Sequence, residues 1–152
     1  MTEVIGASDG PQAIVLRSVL AGAPLPGGSG PVRLADLPLA VEQTAAGSLV
    51  RLAEEGLEAD AAALAEASAV SGGGPPARLV GPVELAGLDP RGDTVVGVLR
   101  VSTEEGPGTA TVTAAVCGVR HGELLPLESV RVAFEQQAGR WVVAGPPAHL
   151  AT

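Results

Sequence analysis

Two histidines, one cysteine, a glycine-rich run and a knot of acidic residues are the parts of this chain with chemistry to offer. His121 sits in Arg120-His121-Gly122-Glu123, the composition of a hairpin tip, and His149 lies near the last residue. A transition-metal site needs several converging ligands, commonly paired one helical turn apart. Neither histidine has such a partner, so no metal is expected. Gly27-Gly28-Ser29-Gly30 has the glycine content of a phosphate-cradling loop. A P-loop also needs a strand to feed it and a lysine to reach the phosphates, and the chain contains no lysine. Cys117 falls inside a predicted strand, on the side shared by Thr113 and Ala115, with no predicted helix N-terminus beside it to stabilise a thiolate. It reads as a packed thiol. Arg91-Gly92-Asp93 spells a cell-adhesion tripeptide, but Pro90 and Gly92 account for it as turn chemistry. Glu54, Glu55, Glu58 and Asp60 crowd a predicted helix end and read as a solvated face, with a partner-docking patch as the alternative.

The chain as a whole narrows the chemistry further. Its 152 residues, 46% of them hydrophobic, suit one domain with its own core. The apolar residues are mainly Ala, Val and Leu, with Phe134 and Trp141 as the only aromatics and no tyrosine. Such a core closes tightly but offers few platforms for stacking a flat ligand. The formal net charge of −8 repels phosphate backbones and anionic membranes, so neither nucleic acid nor direct membrane insertion is expected. Every cationic side chain is an arginine, and Ala, Gly and Pro abound, which points to a high-GC bacterium. A single cysteine forms no intramolecular disulfide, so stability rests on packing. No apolar run approaches the roughly 20 residues of a membrane-spanning helix. Met1-Thr2-Glu3 lacks a basic n-region followed by an apolar stretch, so no signal peptide is expected. For a full-length chain the expected compartment is the cytoplasm; for a fragment of an anchored protein it is extracytoplasmic.

The elements that would position these residues follow from periodicity. Residues 1–31 read as an N-terminal arm and linker standing apart from the main core, and residues 32–152 as a single domain. Asp9-Gly10-Pro11 is a helix-start signal, and Val15, Leu16, Val19 and Leu20 line one side of a short helix ending near Gly22, with a strand over 14–20 as the rival. Pro24 to Pro31 have linker composition. Over 39–57 the apolar residues Val41, Ala45, Leu49, Leu52, Ala53 and Leu57 recur at spacings of three and four, which predicts a long helix. Asp60 would cap a short helix over 61–69. A strand interrupted by Gly81-Pro82 is expected over 79–85, then strands over 94–103, 109–120, 127–135 and 140–144. Alternation puts Val95, Leu99, Val101, Val112, Ala114, Val116, Val130, Val132, Phe134, Trp141 and Val143 on one sheet face. Arg100, Thr111, Thr113, Arg131, Glu135 and Arg140 fall on the other. The expectation is an α+β fold, one long and one short helix on a curved antiparallel sheet.

Two segments carry a family resemblance. Leu49-Val50-Arg51-Leu52-Ala53-Glu54-Glu55-Gly56-Leu57 with Asp60-Ala61-Ala62-Ala63-Leu64 resembles the first two helices of the nuclear transport factor 2-like, or cystatin-like, superfamily. Ala138-Gly139-Arg140-Trp141-Val142-Val143 resembles its last strand. The likeness covers roughly residues 38–145 and is nearest to domains of conjugative-transfer proteins from Gram-positive bacteria. It implies a scaffold in a transfer assembly and pairing through the sheets. Ketosteroid-isomerase-like members use a cavity carboxylate or histidine beside tyrosine-type donors. Here tyrosine is absent and the predicted inner face carries no acid, so no catalytic residue is carried over.

These readings lead to a non-enzymatic scaffold or protein-interaction domain, with no cofactor. The alternative is a small-molecule binder or isomerase/cyclase-like enzyme using a pocket between helix and sheet, lined by Leu49, Leu52, Leu99, Val112, Val132, Phe134 and Trp141. A homodimer is expected through the opposite, half-apolar face carrying Arg100, Thr111, Thr113 and Arg131.

Overall fold

A computed structural model describes residues 10–27, 30–45, 47–58, 77–88, 96–120 and 123–151. Its backbone is a meander of three long antiparallel strands, β4 (Val96–Gly106), β5 (Thr109–Arg120) and β6 (Glu123–Gln137). Their period-two alternation of Val, Leu and Ala with Thr, Ser and charged residues suits a sheet with two unlike faces. The β4–β5 reversal uses Gly108 at φ 70°. After β6, Ala138 at φ 54° and Gly139 at φ 79° turn the chain into β7 (Arg140–Val143), both in the left-handed region that a tight hairpin requires. The edge continues past Gly145-Pro146-Pro147 into β8 (Ala148–Ala151), which also pairs with β6 and was not expected. Leu127 is an extra residue in β6, since Val116 faces Glu128 while Cys117 faces Pro126. The bulge accommodates Pro126, which lacks the donor a regular ladder needs.

The long helix expected over 39–57 does not form. Its place is taken by a 3-10 turn, Leu37–Ala40, and a hairpin of β1 (Val41–Thr44) and β2 (Gly47–Ala53). Gly47 at φ 128° and the Thr44 hydroxyl, which donates to the Gly47 carbonyl at 2.7 Å, close the turn. Leu52 lies on the helical stripe and also alternates with Val50 at the strand period, and sheet partners on both sides of β2 decide between the two. Val50 pairs with Val41 and with Ala77, and Leu52 with Leu79 and with Leu99. So β3 (Ala77–Val80) takes one edge of β2 while β1 and β4 share the other. Both the β2–β3 and β2–β4 pairings are parallel. The sheet is therefore mixed rather than antiparallel throughout, and it curls strongly, like half a barrel. The short helix expected over 61–69 lies outside the described residues.

The segment read as an arm supplies the central helix, α1 (Pro11–Ala21). Pro11 opens it, and Gly22 at φ 72° ends it by returning its N–H to the Ser18 carbonyl. Val15, Leu16, Val19 and Leu20 are buried in one cluster with Leu52, Leu99, Val101, Val112, Val116, Val130, Val132 and Phe134. The linker folds over it as well: Leu25, Val32 and Leu34 are buried in the same cluster. The Pro26 carbonyl accepts from Val143 N–H at 3.1 Å, and Ser18 Oγ accepts from Val32 N–H at 2.7 Å. The expectation that residues up to about Gly30 stand apart from the core is thus corrected from Pro11 to Leu25. A helix apolar nearly all round is stable only when covered on several sides, and the curled sheet and the returning linker do this.

On the opposite sheet face a second helix, α2 (Pro82–Leu88), begins at the proline that was expected to interrupt a strand. Its Leu85 packs with Ala53, Val80, Val98 and Val119 in a small second core. The fold is α+β, with two helices on a curled mixed sheet. No helix of the described residues is long and apolar enough to cross a membrane.

Candidate functional site

The interior between α1 and the sheet was the first candidate. Leu52, Leu99, Val112, Val132 and Phe134 meet there, each 1% exposed or less, with Trp141 half-buried against them. Leu49 does not join them. It alternates with Val50 and Leu52 and so points to the other side of β2, half-buried. Val50 and the four aliphatic side chains of α1 occupy the space instead. Apart from Leu49 and the half-buried Trp141, the residues expected to line a pocket are packed core.

Two polar side chains are buried among the described residues, Gln12 and Ser18. Both are spent on the fold. Gln12 Nε2 donates to the Gly56 carbonyl at 2.9 Å and to Thr103 Oγ1 at 3.0 Å, and its Oε1 accepts from Glu58 N–H at 2.6 Å. One amide thus ties α1 to the loop after β2 and to β4. Neither residue was singled out from the sequence, because an isolated Gln or Ser on an apolar helix carries no spacing signal. Among the described residues no group of three His, Cys, Asp or Glu side chains converges to hold a metal ion. His149 is exposed on β8; His121, the Arg91-Gly92-Asp93 run, Gly28, Ser29 and Asp60 lie outside the described residues. Glu54 and Glu55 are exposed on the loop after β2.

A charged cluster joins β1, β2, β3 and α2. Arg51 and Arg78 are register partners in β2 and β3. Glu42 lies 2.7 Å from Arg78 and 3.9 Å from Arg51, and Glu84 lies 2.6 Å from Arg78. The hydrogen bonds that Arg78 donates, to Glu42 first and then to Glu84, push its pKa up and keep it charged. Two cations against two anions leave little net field, so the cluster pins α2 and β1 to the sheet rather than attracting a charged ligand.

Cys117 is buried on the face opposite α1. Burial pushes its thiol pKa up, against a smaller downward pull from Arg100. A neutral, covered thiol is a poor nucleophile. Iodoacetamide at pH 8 should therefore label the native chain far more slowly than the urea-unfolded chain; equal rates would show that the thiol is open.

Trp141 is half-buried against the main cluster rather than enclosed, and the segment carrying Leu49 and Leu52, expected to pack on it as a helix, is a strand. Trp141→Ala should cost about 1–3 kcal/mol in urea unfolding, below the roughly 3–5 kcal/mol of a fully buried aromatic.

The second candidate is the sheet face opposite α1. Direct register partners share a face, so Ser102, Thr113 and Arg131 form one row, Arg100, Ala115 and Ser129 a second, and Glu104, Thr111 and Ala133 a third. The four residues assigned to this face, Arg100, Thr111, Thr113 and Arg131, are therefore brought together. Arg100 and Arg131 are exposed, and Thr111 and Thr113 half-buried. β8 widens the face by setting Leu150 beside Ser129 and Ala148 beside Arg131, both exposed. These were missed because four residues after Pro146-Pro147 are too few to show a period. Compared with protein-family models, curated proteins and solved structures, the chain matches none.

Proposed function

We propose that this domain is a non-enzymatic scaffold that works through the sheet face opposite α1 and pairs there with a second copy. The observation that carries the reading is the division of labour between the two faces. The α1 side is filled by aliphatic side chains, and its buried amide and hydroxyl are consumed internally. The other face presents Ala, Thr and Ser with few charges, flanked by exposed Leu150. Contiguous surface of this kind is typical of protein contacts. The sheet edges are less suited: β3 spans four residues, and the β7–β8 edge is broken by Gly145-Pro146-Pro147, a common defence against strand addition. A nuclear transport factor 2-like relationship and a place in a conjugative-transfer or secretion assembly are the context we propose from the resemblance at 138–143, where β7 forms; the helix that the likeness at 49–57 implied is replaced by β2.

Sedimentation equilibrium tests the reading. The wild-type chain should dimerise at micromolar concentration, and Thr113→Glu should raise the dimer Kd about tenfold by placing like charges near the two-fold axis. A chain that stays monomeric at high micromolar concentration overturns the proposal; a dimer indifferent to position 113 moves the interface elsewhere.

A further inference from the structure

The charges on this face are ordered along the strands, and we infer from that order how the two copies are oriented. β4 and β6 run in the same direction on either side of β5. Each carries an arginine and, four residues on, a glutamate: Arg100 and Glu104 on β4, Arg131 and Glu135 on β6. A spacing of four returns a strand side chain to the same face, and register partners extend the faces across the sheet, Arg131 with Thr113 and Ser102, Glu135 with Thr109 and Gly106. The end of the face next to α2 therefore carries Arg100 and Arg131, and the end at the β4–β5 turn carries Glu104 and Glu135. Arg140, the register partner of Gln137, shares the face beyond Glu135 and leaves that end with an excess of one negative charge. Thr113 and Thr111 lie midway, small enough to let a second sheet approach to the usual spacing of about 10 Å.

A two-fold axis running along the strands would lay arginines on arginines. An axis crossing the strands, passing over β5 between Thr111 and Thr113, lays the arginine end of each copy on the glutamate end of the other. The face is self-complementary only in the second arrangement, which is the one assigned here. Glu55, 3.5 Å from Arg100 and mostly exposed, is the intramolecular competitor for that guanidinium. The inference rests on the proposed role of this face and adds the orientation of the pair.

Charge reversal separates the arrangements. In Arg100→Glu with Arg131→Glu both ends carry a net negative charge, and in Glu104→Arg with Glu135→Arg both carry a net positive one, with Arg140 and Glu55 counted. Each double variant should raise the homodimer Kd tenfold or more in sedimentation equilibrium at low salt. The chain carrying all four substitutions has its polarity reversed, with Glu55 and Arg140 now adding to it, and should dimerise at least as tightly as wild type. The wild-type Kd should also rise with sodium chloride, which screens the reciprocal pairs without any substitution and so covers a variant that fails to fold. A wild-type dimer that is weakened by Thr113→Glu but indifferent to both double variants and to salt overturns the orientation while leaving the interface. So does a fourfold variant that folds but stays monomeric. A wild-type chain that never dimerises overturns the proposed role of the face itself.

Discussion

Deleting residues 1–22 should abolish cooperative unfolding of the remaining chain. The deletion removes Val15, Leu16, Val19 and Leu20, all buried in the main cluster, and opens the inner sheet face beneath them. Burial of an aliphatic side chain is worth about 1.5–3 kcal/mol. Four of them are comparable with the whole stability of a domain, about 5–15 kcal/mol. The loss of Gln12 adds to this, because Gly56 carbonyl, Thr103 hydroxyl and Glu58 N–H lose their shared partner. Within the intact chain, Leu16→Ala should cost roughly 2–5 kcal/mol in urea unfolding, whereas replacing exposed Arg17 by Ala should cost less than about 1 kcal/mol. A truncated chain with a sharp melt near that of the wild type would show that α1 is dispensable.

The second large effect is expected at Gly97. It is the register partner of Gly118, and on most strands either glycine could become alanine with a small gain from a less flexible unfolded chain. Their surroundings differ. A Cβ on Gly97 would stand 2.6 Å from the Leu39 carbonyl carbon, 2.7 Å from its oxygen and 2.8 Å from its Cβ. Backbone atoms of the 3-10 turn cannot rotate away, so the turn must lift from the sheet. Lifting it would uncover Ala40, fully buried here, and strain the bonds by which Arg51 Nη1 holds the Leu39 carbonyl at 3.3 Å and the Gly97 carbonyl at 3.2 Å. At Gly118 the nearest atom is Leu127 Cδ1 at 3.5 Å, an ordinary contact with a side chain that can adjust. Gly97→Ala should therefore destabilise by about 1–3 kcal/mol or more, and Gly118→Ala should stay within about 0.5 kcal/mol of wild type. Equal melting temperatures for the two variants would remove the steric account of the glycine at 97.

From the residues alone, the β4–β5–β6 meander, its two faces and the membership of Leu52, Leu99, Val112, Val132 and Phe134 in the core could be read. Alternation over ten or more residues fits a sheet with two unlike faces, one of them apolar along its length. Placement of Arg100, Thr111, Thr113 and Arg131 on the other face followed from the same parity. The choice between helix and strand at 39–57 could not be read, because Leu52 fits both periods and the deciding partners of β2, Ala77, Leu79 and Leu99, are distant in sequence. The role of α1 was hidden for a similar reason. Glycine and proline in 24–31 signal a linker locally, and only the closed fold shows that it returns over α1 to bury Leu25 and Val32 beside it. The packed interior and the rows of side chains on the opposite face were set by strands pairing across long stretches of chain. Local sequence constrains period and parity, whereas burial depends on what other segments bring to the same place.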